Sequence, residues 1–186
     1  MGVDKIATLR AMPIELMQRL LGQNGIEIWK KANGIDLTPI KPYWEQKSIS
    51  TERTFEQDTM DIDMLHRLLV KMVEGLCFEL RSEQKLTSCV TLKIRYSNFD
   101  TYSQQKQIPY TTFDHNIIEV VRELFKKLYQ RRMMIRLIGV RLSHLVHGTQ
   151  QLNLFEDTPE KVNLYLAMDS IRKRYGTKAI GRAIYV

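Results

Sequence analysis

The sequence predicts an α+β fold, a four-stranded antiparallel sheet with two helices on one face in the order β-α-β-β-α-β. Short helices precede it and a C-terminal helix follows. Three observations point there. Residues 61–83 and 114–128 carry apolar side chains at helical spacing along one side only. Residues 90–99 alternate apolar and polar with a period of two. Turn-forming Asn98 and Asp100 then separate that strand from a following β-rich run. Two one-sided helices and a one-sided sheet must bury their apolar faces against each other, which leaves the second sheet face to solvent.

Residues 3–33 read as short helices. Pro13 suits a helix start, with Leu16, Met17, Leu20 and Leu21 as apolar positions. Gly22 and Gly25 then punctuate a tight hairpin before a second helix, Ile26 to Ala32, closed by Gly34. Helices this small bury too little surface to stand alone. Pro39 and Pro42 follow within a few residues, disfavour helix and mark an extended connector. These patterns divide the chain into a helical segment (1–35), a linker (36–46), a sheet domain (47–149) and a C-terminal segment (150–186).

Within the sheet domain, Ser48 to Phe55 is rich in β-formers and hydroxyls and reads as the first strand. Asp58, Thr59 and Asp61 offer capping oxygens to a helix bearing Leu65, Leu68, Leu69, Met72, Val73, Leu76 and Leu80 inward. On the next strand Val90, Leu92, Ile94 and Tyr96 share one face, Thr91, Lys93, Arg95 and Ser97 the other. Thr101 to Ile108 returns as a hairpin partner. Asp114 is expected to cap a second helix with Ile117, Ile118, Val121, Leu124, Phe125 and Leu128 inward, and a last strand runs from about Met134 to Val146. In the tail, QQLNLFED (Gln150 to Asp157) precedes an amphipathic helix sketched by Leu164, Ala167, Met168, Ile171 and Tyr175 and loaded with Arg172, Lys173 and Arg174.

Composition narrows the function. The 186 residues carry 28 Lys and Arg against 21 Asp and Glu, a net charge of +7 that favours an anionic partner. No apolar run reaches the roughly 20 residues that span a bilayer, and the N-terminus lacks a signal-peptide layout, so no membrane partner and a cytoplasmic location are expected. Cys77 and Cys89 have no cluster of His or Cys around them and read as buried thiols, Cys77 on a helix and Cys89 at a strand start.

The predicted open sheet face carries Lys, Arg, Ser and Thr, which suits a phosphate backbone: cations neutralise charge and hydroxyls add short-range hydrogen bonds. The candidates are Lys47, Ser48, Ser50 and Arg53 from the first strand and Lys93 and Arg95 from the second. Ser103 and Lys106 come from the third, and Arg136, Arg141 and Ser143 from the last. Arg53 shares parity with Phe55, and Arg136 with Ile138, so each needs a bulge or a strand end to reach that face. The central aromatic, Tyr96, points inward by parity, which favours phosphate tracking over base stacking. A stand-alone protein-interaction or regulatory module of the same fold is the alternative from another functional class, and an RNA-binding module is the third reading.

Three segments together resemble the little-finger domain of Y-family translesion DNA polymerases, most closely the DinB or DNA polymerase IV branch. They are KSISTERTFEQD (47–58), VTLKIRYSNFDTYSQ (90–104) and IRLIGVRLSHL (135–145). LGQNGIEIWKKANGIDLTPIKP (21–42) is similar to the end of that family's thumb and its linker. The resemblance implies a region that grips primer-template DNA, with Lys47, Ser48 and Arg53 in the first-strand motif facing DNA. Arg136, Gly139, Arg141 and Ser143 match the last-strand motif, the glycine permitting close backbone approach. Tyr102 stands where relatives often carry a basic residue. The family's two Mg²⁺ ions are held by palm carboxylates that nothing here matches, so no catalytic residue, metal site or cofactor is expected in this chain; Mg²⁺ belongs to the full-length enzyme. Asp61 and Asp63 read as helix capping. GVDKIATL (2–9) is similar to the second half of the thumb's helix-hairpin-helix, which implies a chain cut from a longer one with Met1 added, inactive by itself.

Gln151-Leu152-Asn153-Leu154-Phe155 resembles the pentapeptide by which bacterial polymerases dock on the sliding clamp. There a Gln amide enters a polar notch and Leu and Phe enter an apolar pocket. Relatives often keep this peptide at the extreme C-terminus, whereas residues 156–186 follow it here.

Overall fold

A computed structural model describes residues 3–40, 45–148 and 158–183. The chain divides into two compact units, Met1–Trp44 and Glu45–Val186.

The first unit holds α1 (Ile6–Ala11), α2 (Ile14–Leu21) and α3 (Gln23–Ala32). Pro13 is the N-cap of α2, and Gly22, at φ 62°, makes the turn into α3. Gly25 does not share that turn: it lies inside α3, where a Cβ would sit 2.1 Å from the carbonyl oxygen of Met17. Its missing side chain is what lets α2 and α3 cross closely. Trp29 donates its indole N–H to the carbonyl of Met12 at 2.8 Å, tying α3 to the end of α1. Met17 is buried, but Leu16, Leu20 and Leu21 stay 40–46% exposed, so three short helices leave much of their apolar stripe uncovered.

The second unit runs β1 (Ser48–Thr59), α4 (Ile62–Ser82), β2 (Lys85–Tyr96), β3 (Thr101–Thr111), α5 (Asp114–Leu128), β4 (Ile135–Ser143), β5 (Val146–His147) and α6 (Thr158–Tyr175). The antiparallel sheet has the order β1-β4-β2-β3, and the expected α+β architecture is present. The last strand is shorter than expected. It ends at Ser143, His144 turns the chain at φ 54°, and the two residues of β5 return to pair with Lys85 and Leu86.

Leu65, Leu69, Val73, Leu76 and Leu80 of α4 and Ile117, Val121 and Leu124 of α5 pack onto Val90, Leu92, Ile94, Ile138, Val140 and Leu142 of the sheet. Asp61 caps α4, its carboxylate accepting the N–H of Met64 at 2.9 Å, while the Thr59 hydroxyl accepts the N–H of Asp61 at 3.1 Å. Both cysteines are buried, though Cys89 lies inside β2 and not at its start. Burial, then the neighbouring Asp114, pushes the Cys77 thiol well above its ordinary pKa and keeps it a thiol.

One helix expectation needs correction. Asp114 does not cap α5. The N-cap is Phe113, and Asp114 is fully buried in the first turn, where it receives Arg81 of α4 at 2.6 Å. The C-terminal helix α6 leaves its apolar stripe largely exposed, Leu164 at 57% and Tyr175 at 66%. Its buried side is Tyr165, Asp169 and Arg172, three residues whose polar groups find partners on the helix layer. No helix among the described residues is long and apolar enough to cross a membrane.

Candidate nucleic-acid interface

Strand pairing fixes which side chains share the open face. Residues opposite one another across a ladder point to the same side, so the register groups them into rows. One row is Ser50, Arg141, Thr91 and Gln105; the next is Glu52, Gly139, Lys93 and Ser103; a third is Thr54, Leu137, Arg95 and Thr101. These rows alternate with the apolar rows of the core, in which Leu92 opposes Val140 and Ile94 opposes Ile138.

Beside the first row is a cleft of about 530 Å³, lined by Lys47, Ser48, Thr91, Ser103, Gln105, Arg141 and Ser143 together with Glu45, Gln46, His144 and Leu145. Five of the expected residues therefore meet at one concavity: Lys47, Ser48, Ser103, Arg141 and Ser143. Ser50 shares their face beside Arg141. Thr91 and Gln105 are additions. The alternation of β2 had placed Thr91 on this side, but Gln105 needed the β2–β3 register, which follows no local pattern.

The remaining cations differ in how free their charge is. Lys93 donates to both carboxylate oxygens of Glu52, at 2.9 and 3.1 Å. Arg95 donates to the Thr101 hydroxyl at 2.8 Å, and its charge meets no carboxylate among the described residues. Lys47 and Arg141 are exposed and likewise form no ion pair with any described residue. Unpaired, water-facing cations are the ones an incoming phosphate can neutralise without first displacing a protein carboxylate.

Two expected residues lie on the helix side. Arg53 opposes Ile138, which in turn opposes Ile94 of the core, and no bulge intervenes at that position. It lines a surface pocket with Phe55, Met64, Arg67, Leu68 and Lys71 beside α4. Parity with Phe55 decides its side, and the motif match does not. Lys106 opposes Val90 and pairs with Glu123 of α5, three residues away from Ser103 and so on the other face.

Arg136 meets the bulge it needed. Ile135 pairs with Tyr96 and Leu137 with the adjacent Arg95, so β4 carries one extra residue there. The Arg136 guanidinium lies 4.7 Å from the Phe99 ring centroid and 3.6 Å from the Asp58 carboxylate, so its charge is partly answered within the protein. Tyr96 is 1% exposed and donates its hydroxyl to the Leu128 carbonyl at 3.1 Å, which removes the central aromatic from the open face. Tyr102 pairs with Ile94 on the helix side, under the Arg131 guanidinium.

Among the described residues, no group of side chains fits a Mg²⁺ pair. Asp61 spends its carboxylate on the α4 N-terminus, and no three His, Cys, Asp or Glu side chains gather among the described residues. The pentapeptide Gln151 to Phe155 lies outside the described residues, in the span between β5 and α6.

A family model described as the impB/mucB/samB family C-terminal domain matches residues 46–154. The chain is 32% identical over 187 residues to DNA polymerase IV of Clostridium acetobutylicum, covering 98% of this chain and 47% of that protein. It is 32% identical to DNA polymerase IV 2 of Bacillus subtilis, covering 98% and 46%. A DNA polymerase IV of Dehalococcoides mccartyi is 30% identical over 97% and 47%. The chain thus spans about half the length of the curated relatives it matches.

Proposed function

The chain belongs to the impB/mucB/samB family through its C-terminal domain and corresponds to the C-terminal part of DNA polymerase IV-type proteins, and on that premise we propose that its open sheet face grips the phosphates of primer-template DNA during translesion synthesis. One observation carries the reading: Lys47, Arg141 and three serine hydroxyls converge on one cleft, and neither cation there is answered by a carboxylate. Cations supply sequence-independent attraction, while the hydroxyls add directional hydrogen bonds that fix register on the duplex. A polymerase working past damaged bases needs contacts of this kind, because they do not depend on which base is present. Nucleotidyl transfer belongs, in this reading, to carboxylates elsewhere in a longer protein.

Binding of the chain to a labelled primer-template duplex over a salt series tests it. Affinity should fall linearly on logarithmic axes, with a slope of about −0.9 per phosphate neutralised. Absence of binding at low salt would contradict the proposal.

The same premise extends to a second partner. Gln151-Leu152-Asn153-Leu154-Phe155 is proposed as a sliding-clamp peptide, with Gln151 in a polar notch and Leu154 and Phe155 in an apolar pocket of the clamp. In a pull-down with a bacterial clamp, the Leu154→Ala/Phe155→Ala double variant should lose retention. Undiminished retention would remove the assignment.

A further inference from the structure

The centre of the open face is not a bare cation. Register places Glu52 of β1, Gly139 of β4 and Lys93 of β2 in one row, with β4 between the two charged residues. Opposite charges two strands apart are ordinarily kept apart by the intervening side chain. Here there is none. The Glu52 side chain lies over Gly139, where a Cβ would come within 2.6 Å of Glu52 Cγ, and reaches across to hold Lys93 with both oxygens. The Glu52 side chain therefore crosses the β4 backbone at Gly139, and its carboxylate holds the Lys93 ammonium that a phosphate would otherwise meet.

We propose that Glu52 is an internal competitor for phosphate, a carboxylate gate laid across Gly139 that must release Lys93 before DNA can engage the centre of the face. Glycine at 139 then has a role beyond close approach of a ligand: it makes the slot that the gate fills. Both partners are partly exposed, 32% for the Lys93 side chain and 44% for Glu52, so the pair is weak enough to open. A gate of this strength lowers resting affinity and leaves the cleft cations, Lys47 and Arg141, as the first contacts. That arrangement suits a protein that should hold DNA loosely until both parts of the face engage.

The inference rests on the DNA reading above, and the experiment separates the two. Primer-template binding is measured for the whole chain as wild type, Glu52→Gln, Lys93→Gln, the Glu52→Gln/Lys93→Gln double variant, and Arg141→Ala. Thermal melts confirm that the folds match, and Gln at 52 preserves the shape of the side chain. Glu52→Gln should bind about two- to fivefold more tightly, the range expected from releasing an exposed ion pair. Its salt slope should steepen by about one phosphate equivalent. The gain should vanish when Lys93 is already Gln. An equal gain in both Lys93 backgrounds would show a general charge effect and overturn the gate, as would no gain at all. If Arg141→Ala also leaves binding unchanged, the DNA reading itself fails. A loss with Arg141→Ala but no Lys93-dependent gain with Glu52→Gln rejects the gate alone.

Discussion

Two histidines show how single side chains couple to the stability of this protein. His66 of α4 packs the edge of its ring on Phe125, centroids 4.9 Å apart, and His115 of α5 lies 2.9 Å from the Tyr165 hydroxyl. Burial disfavours the charged imidazole of each. Arg122 and Lys126 add to this at His66 and are opposed by Asp63; Lys161 and Arg182 add to it at His115 and are opposed by Glu119 and Asp114. Both pKa values are therefore lowered from the ordinary 6.5. As pH falls below that value, the unfolded chain takes up these protons before the folded one does, so stability declines. Urea midpoints should drop between about pH 7.5 and about pH 5.5, and a His66→Gln/His115→Gln variant should lose most of that slope. A wild-type midpoint that stays flat or rises would contradict this assignment.

Residue-level reading of the sequence succeeded where strand parity was local. The inward Tyr96 and outward Lys93 followed from alternation alone, and Arg136 was legible as a residue needing a bulge. Arg53 was expected to need a bulge that β1 does not supply there, and Lys106 is out of phase with Ser103, a parity that the sequence already contained. Glu52 was missed because its importance comes from a pairing across two strands, with a glycine between, and no single-strand pattern encodes it.

At the scale of elements, charge does work that apolar packing usually does. Arg81, at the end of α4, donates to Asp169 of α6 at 2.6 and 3.0 Å, to Asp114 of α5 at 2.6 Å and to the Thr112 carbonyl at 2.8 Å. Its guanidinium also sits 4.8 Å from the Tyr165 ring centroid. One turn further along α6, Arg172 reaches Glu74 of α4, which also receives Arg182 from the segment after the helix. The helix α6 is thus held by ion pairs whose members are largely buried, and its Leu164 and Ile171 face water. An amphipathic pattern in the sequence located the helix but not its docking face, since periodicity counts apolar residues and cannot count buried salt bridges. Removing one member of such a network leaves the others uncompensated. Arg81→Leu should cost about 3–5 kcal/mol in urea unfolding, because it strands two buried carboxylates. A loss below about 1 kcal/mol would mean that the network adds little beyond what surface ion pairs give.

Across the whole molecule, the two layers divide the labour. The helix layer and the inner sheet face are consumed by the core, which leaves the outer face to meet a partner. That face carries a self-neutralised pair at its centre, with free cations on either side, Lys47 and Arg141 at the cleft and Arg95 toward the other end. The fold class, element order and helix layer were legible because one-sided hydrophobicity leaves few arrangements that bury every apolar stripe. The cleft was legible only in part, because it forms where four strands and the β4–β5 turn meet.

The central claim is that DNA binds the open face and not the helix side. Two arginines on β1 and β4 test it directly, Arg53 on the helix side and Arg141 in the cleft. Primer-template affinity measured over a salt series should lose about one unit of salt slope with Arg141→Ala and keep its slope with Arg53→Ala. Equal losses from the two variants, or a loss from Arg53→Ala alone, would contradict the account.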